Sequence, residues 1–204
     1  MTNKILNNDQ YIREKTFKNQ IVLHHTAGGG IAENVIHGWN FNPERVGTAF
    51  VIDAKGEVFK CFETEFWAYH LGLKTVSNLA LNKASIGIEV CNWGQLIKDK
   101  NGKYWNYYKT EVHEDEVVQI NKFRGFEYYH KYNDAQIESL RKLVLELCAK
   151  HSIKKDYNSD MWDISKNALA GVNGIYTHVS YRIDKNDMSP QINLIEMLKN
   201  LKNS

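Results

Sequence analysis

Proline is scarce in this chain: Pro43 and Pro190 are the only two in 204 residues. No proline-, glycine- or serine-rich linker divides it, and no repeat or low-complexity tract appears, so the length suits one domain with a sizeable core. The three cysteines, Cys61, Cys91 and Cys148, are odd in number, far apart and never in a CxxC pair. That excludes a disulfide framework and a cysteine-rich zinc cluster. Cys91 follows an alternating strand and Cys148 sits in a helical pattern, so both read as small buried apolar groups. An excess of one charge is missing too. Lys and Arg number 26 against 24 Asp and Glu, a net charge of +2 without the basic clustering that nucleic acid binding requires. No apolar run is long enough to cross a membrane. The first ten residues, MTNKILNNDQ, hold no apolar core of an export signal. The expectation is a monomer made in the cytoplasm without a signal peptide, neither inserting into membranes nor binding nucleic acid.

What is present begins with "IVLHHTAGGG", residues 21–30: a β-branched run that ends in two histidines and hands over to three glycines. A short helix is predicted over 31–39, with Ile31, Val35, Ile36 and Trp39 on one stripe. Residues 48–62 alternate as a hairpin turning at Ala54-Lys55-Gly56. "SIGIEVCN", residues 85–92, is a further strand, with Ile86, Ile88 and Val90 on one face and Gly87, Glu89 and Cys91 on the other. Residues 93–132 are polar and rich in aromatics, and read as an elaborated loop region with at most one hairpin. Asn133, with Gln136 three residues on, marks a capped helix whose stripe is Ile137, Leu140, Leu143, Val144 and Leu147. A last helix is expected to start at Ser189 and Pro190, with Ile192, Ile195, Leu198 and Leu201 inward. Strands alternating with helices predict an α/β fold: a central mixed sheet flanked by helices, one domain from 1 to 204 with 1–19 as an N-terminal extension.

Neighbouring side chains on a strand point to opposite faces, so His24 shares a face with Val22 and His25 with Leu23. Only one of the two imidazoles can enter a given site. Partners occur late, in "YTHVSYRIDKNDMSP", where Asp187 lies nine residues after His178. One early histidine, one late histidine and a carboxylate would make a three-donor zinc site of the catalytic type. Eight histidines and 24 acids admit other triples, so spacing alone leaves the set open.

Taken together, "VLHHTA", "SIGIEV" and the histidine followed by "DKNDMSP" resemble the zinc-dependent N-acetylmuramoyl-L-alanine amidases of the amidase-2 and peptidoglycan recognition protein superfamily. "SIGIEVCNWGQL" and "THVSYRIDKNDMSPQ" resemble a branch common in Bacteroidetes and their phages. The resemblance runs from about residue 20 to the C-terminus. It implies Zn2+ as cofactor, held by His24, His178 and Asp187, with His25 left structural. It implies Glu89, from the family's "GIE", as general base, and Lys185 as the group that stabilises the developing oxyanion. Asp184, one residue before the lysine, matches no ligand position. "FWAYHLG" is similar to a family segment that would make His70 a groove residue. Thr48 departs from the pattern, standing where some relatives carry a catalytic tyrosine, so base duty falls to Glu89. Trp67, Trp93 and Trp105 are each candidates to stack on sugar rings or to pack in the core, and Trp93 is taken as the substrate-binding one.

The implied activity is cleavage of the amide between N-acetylmuramic acid and L-alanine in peptidoglycan or its muropeptides. A lytic role on the cell wall after release, as in a phage endolysin, is favoured over a cytosolic recycling amidase. The rival from another class is a wall-binding module without catalysis. The three glycines are expected to let the backbone turn beside the metal and the polymer approach.

Overall fold

A computed structural model describes residues 1–203. Gln20–His25 (β2) is buried along its whole length, as its β-branched composition requires of a strand covered on both faces. It pairs in parallel with Ser85–Val90 (β5) on one side and Gly174–Thr177 (β11) on the other. Beyond β5 lies Phe50–Ile52 (β3), also parallel to it, then antiparallel Val58–Lys60 (β4), and Thr2–Asn3 (β1) at the edge. The β3–β4 hairpin turns over Asp53–Glu57, as expected. The result is a six-stranded mixed sheet, ordered β1-β4-β3-β5-β2-β11.

Helices cover both faces. Ile21 and Leu23 of β2, with Ile86, Ile88 and Val90 of β5, enter the main core. That core also takes Ile36 from Ala32–Asn40 (α1), the inner stripe of Asp134–His151 (α3), and Leu194, Met197 and Leu198 from Ile192–Asn200 (α5). On the opposite face Val22 meets Leu71, Tyr176 and Tyr181, Leu81 of Ser77–Ala84 (α2), and Ala168 of the short helix Lys166–Leu169 (α4). Helix α3 starts as predicted: the Asn133 side chain accepts from Gln136 N at 2.9 Å and the Gln136 side chain accepts from Asn133 N at 3.3 Å. Gln136 Nε2 also donates to the Cys91 carbonyl at 2.8 Å, locking the helix to the end of β5. Leu143→Ala, which opens a void at the centre of that stripe, is expected to cost about 2–5 kcal/mol.

Three expectations need correction. Helix α5 begins at Ile192 rather than at Ser189, with Gln191 in the cap position. Ser189 is buried, and its backbone N–H and hydroxyl engage the Tyr132 hydroxyl, so it is not free to cap. The inward stripe is Leu194, Met197, Leu198 and Leu201, while Ile192 is exposed. Both stripes obey helical spacing, and packing against α3 selects one. Ile31, at the mouth of α1, is likewise exposed.

Residues 93–132 form more than a loop. Gln95–Lys98 (β6), Tyr104–Trp105 (β7), Glu111–Val112 (β8), Val117–Phe123 (β9) and Phe126–His130 (β10) build a second, antiparallel sheet ordered β8-β7-β6-β10-β9. The aromatics are there because a small sheet needs its own core: Leu96, Tyr104 and Val112, with Trp93, Val117 and Tyr128 packed against them. The N-terminal extension is also part of the fold, since Leu6 and Tyr11 lie in the main core.

Lys18, just before β2, is 1% exposed, and its Nζ donates to the Lys83 carbonyl at 2.6 Å. Burial pushes its pKa down to about 7, against the attraction of Glu14 and Glu65. An unfolded lysine keeps its proton to about pH 10.4, so the unfolded chain binds the extra proton between these values. The burial penalty is therefore fully present below about pH 7 and fades as pH rises toward 10. Lys18→Met should stabilise the fold by about 1–3 kcal/mol at pH 6 and by little at pH 10, read from denaturant unfolding at both. The Lys83 carbonyl keeps the Thr16 hydroxyl as donor at 2.7 Å, so the substitution orphans nothing.

Candidate active site

The parallel strands β2, β5 and β11 end at the same edge of the sheet, where open α/β sheets gather their functional groups. Register does the convergence. His24 is the direct partner of Glu89 across the β2–β5 ladder, and Thr177 pairs with Leu23, which sets His178 beside His24. After a 3-10 turn at His178–Ser180 the chain loops back, and Val179 N donates to the Asp187 carbonyl at 3.1 Å. Residues 24, 89, 178 and 187, remote in sequence, thus share one cavity of about 560 Å³.

Within it His24 Nδ1 lies 3.1 Å from His178 Nδ1 and 3.2 Å from Asp187 Oδ2, and His178 Nδ1 lies 2.9 Å from the same oxygen. Nitrogen and oxygen donors about 2.0–2.1 Å from a tetrahedral zinc stand roughly 3.3 Å from one another. The triangle is thus close to the size such an ion takes, and two imidazoles with one carboxylate are a zinc-type donor set. Among the described residues it is the group of histidines, cysteines and acids whose donor atoms converge this way. The protonation states suit it. Burial, with His178 close by, lowers the His24 pKa to about 4, so its ring is neutral near neutral pH. Burial alone would raise the Asp187 carboxyl, yet the His178 and His24 imidazoles hold it well below the usual carboxylate range.

Glu89 faces the same cavity, with Oε2 buried and unpartnered by any protein group. Burial, and then the Asp187 charge, push its pKa well above the usual value, while Lys185 partly offsets the rise. A buried, unsatisfied carboxylate aimed into a cavity is expensive to keep and is the form a general base takes. Lys185 lines the cavity as well. Asp184 is exposed, outside the cavity lining, and pairs with Arg182.

The remaining expected residues divide. His25 is buried on the other face, its Nδ1 at 2.9 Å from the Tyr132 hydroxyl. His70 reaches the cavity, but both ring nitrogens are engaged: Nδ1 with His24 Nε2 at 3.0 Å and Nε2 with Ser85 Oγ at 2.9 Å. Thr48 lines the wall, and its hydroxyl donates to the Phe50 carbonyl at 2.8 Å. Trp93 is not in the cavity lining; its ring edge lies against Gly29 and its ring meets that of Tyr108 in a T-shaped contact, centroids 6.2 Å apart. Trp67 is buried in the core, which removes it as a sugar-stacking candidate.

The glycines answer differently from the expectation. None of Gly28, Gly29 and Gly30 has positive φ; the left-handed residue is Ala27, at φ 50. Gly30 is needed because a Cβ there would lie 2.6 Å from that of Ala54, so close packing, rather than a sharp turn, excludes larger residues.

Sequence reasoning missed the layer behind the histidines. Leu71, Asn78, Asn82 and Ser85 carry no motif by themselves, though the i, i+4 spacing of the two asparagines on α2 was visible.

Comparison with solved structures finds proteins of similar fold. The structure of PlyL matches with a TM-score of 0.56 at 15% identity, covering 98% of this chain and 96% of that one. The N-acetylmuramoyl-L-alanine amidase LysC from Clostridium intestinale matches at 0.53 and 14%, covering 99% of this chain and 96% of its own. A mutant endolysin from Bacillus subtilis matches at 0.56 and 17%, covering 97% and 95%. At these identities the matches show a shared fold. A comparison with curated protein sequences finds no match. The Amidase_2 family profile, described as N-acetylmuramoyl-L-alanine amidase, matches residues 15–191, most of the chain and every group that converges on the cavity, and the protein therefore belongs to that family of enzymes.

Proposed function

We propose that this protein is a zinc-dependent, wall-lytic amidase that cleaves the bond between the lactyl group of N-acetylmuramic acid and L-alanine in peptidoglycan. The observation that carries the reading is the convergence of His24, His178 and Asp187 beside an unpartnered Glu89. His24, His178 and Asp187 would hold the zinc, which when bound would supply Lewis acidity toward the scissile carbonyl and the attacking water. Glu89 Oε2 takes the proton of that water and returns it to the leaving nitrogen of L-alanine, a transfer its raised pKa favours. The Lys185 ammonium faces the carbonyl oxygen as it becomes negative, a contribution of about 3 kcal/mol by the scale of other oxyanion donors. The Thr48 hydroxyl, donating to its own strand, offers the substrate only an acceptor oxygen. Trp93, whose ring edge lies against Gly29, remains the aromatic proposed to stack on a sugar ring of the glycan.

The test is a digest of purified peptidoglycan. The reading expects new N-terminal L-alanine peptides and glycan stripped of stems, both stopped by a chelator and restored by zinc. New reducing sugar ends in their place would overturn it. Binding to the wall with no new ends of either kind would favour a non-catalytic module.

A further inference from the structure

The hydrogen bonds behind the histidines have a fixed direction. The Ser85 hydroxyl donates its single proton to the Leu81 carbonyl at 2.7 Å, and a carbonyl can only accept. Ser85 Oγ must then accept from His70, so the proton of His70 sits on Nε2. In a neutral ring that leaves the His70 Nδ1 lone pair to accept from His24 Nε2–H, at 3.0 Å. His24 is thereby left with its lone pair on Nδ1, the atom that faces His178 and Asp187.

A second, shorter line serves His178, whose Nε2–H donates to the Leu71 carbonyl at 3.0 Å and leaves its own Nδ1 unprotonated. Both lines are rooted in one place. Asn82, fully buried on α2, accepts from the backbone N–H of His70 at 2.8 Å and of Leu71 at 3.2 Å. Its own amide donates to the Asn78 carbonyl at 2.7 Å and to the Asn78 side chain at 2.9 Å, so it cannot turn over.

We infer that Ser85 and Asn82, acting through His70 and Leu71, are positioning residues that hold His24 and His178 in the tautomer with Nδ1 free. The junction of α2 and β5 is a frame for the metal site, and neither Ser85 nor Asn82 lines the cavity. The inference rests on the zinc reading for its purpose, but not for its geometry. A metal-ligating imidazole whose other nitrogen is held by a hydrogen bond keeps one tautomer and one ring orientation, and loss of such a partner weakens metal binding about 10–100-fold. In Ser85→Ala the His70 ring loses its acceptor and is free to carry its proton on Nδ1. That proton would face His24 Nε2 and drive the His24 proton onto Nδ1, where it blocks the ion.

The experiment has two readouts. Nitrogen NMR of the metal-free protein, labelled at histidine, reports the tautomer directly. The parent should show Nε2–H at His24, His70 and His178, and Ser85→Ala should add an Nδ1–H population at His24. Zinc affinity, by competition with a chelator, should fall about 10–100-fold in Ser85→Ala and return to within about threefold of the parent in Ser85→Thr, which keeps the hydroxyl. Nδ1–H at His24 in the parent, or a loss of affinity in Ser85→Ala that Ser85→Thr fails to rescue, would overturn the inference. Should the parent bind no zinc, the zinc reading fails, while the metal-free spectra still decide the tautomer.

Discussion

Glutamine in place of Glu89 is expected to lower kcat on peptidoglycan by about 10²–10⁴-fold, with zinc content unchanged. The amide has the shape of the carboxyl and removes only its ability to take a proton, so folding and the histidine cluster should survive. The size follows from the work assigned. Of the acids facing the cavity, Glu89 has a buried carboxylate oxygen with no partner, whereas Asp187 is engaged by His24 and His178. The pH profile carries the same claim with a sign. The base must be deprotonated to act, so activity lost on acidification returns as pH rises through the Glu89 pKa. Burial and Asp187 hold that pKa well above an ordinary glutamate, and the acid limb should sit correspondingly high. In Glu89→Gln this limb should vanish from the residual rate, measured in zinc excess over the range where the metal stays bound. An unchanged limb would assign it to another group.

His178→Ala should be the most damaging single change, taking activity down by at least about 10³-fold and zinc binding with it. It removes one donor of three, and it leaves Asp187 buried with half its partners gone. Stability gives an independent reading of the same event. A ligand that binds only the folded state adds about 4 kcal/mol when present at 1,000 times its Kd. The parent should therefore show a zinc-dependent rise in Tm, and His178→Ala should show none. A rise that persists would mean the ion binds elsewhere. The analogous change at His25 should leave the zinc-dependent rise intact and lower only the starting stability, since that ring serves Tyr132 on the other face.

Much of the fold could be read from periodicity. The buried run of β2, the alternation of β5 and the Asn133 cap specify their elements locally, and each is where the residues put it. The misses share a cause. Helix α5 carries two stripes of proper spacing, and only the surface it meets decides between them. The 93–132 segment has strands of two to seven residues, too short for alternation to stand out among polar neighbours. Ser189 matched a cap by residue type, but a tertiary hydrogen bond to Tyr132 had the stronger claim on it.

The site shows the same division. Strand alternation alone set His24 and His25 on opposite faces, because it is a local fact, while the resemblance chose His24 between them. Joining His24 to His178 and Asp187 took the family resemblance, since register across β2 and β11 is invisible in one sequence. The role of His70 was out of reach for a different reason. A residue whose two nitrogens are both spoken for looks, in sequence, the same as one that faces the substrate.

The most direct measurement is X-ray diffraction from zinc-soaked crystals, with anomalous data collected at the zinc edge. The account predicts one strong peak, about 2.0–2.2 Å from His24 Nδ1, His178 Nδ1 and an Asp187 carboxylate oxygen. A peak bound elsewhere, an ion held through Nε2 of His24, or no ion at zinc concentrations that support cleavage would contradict it.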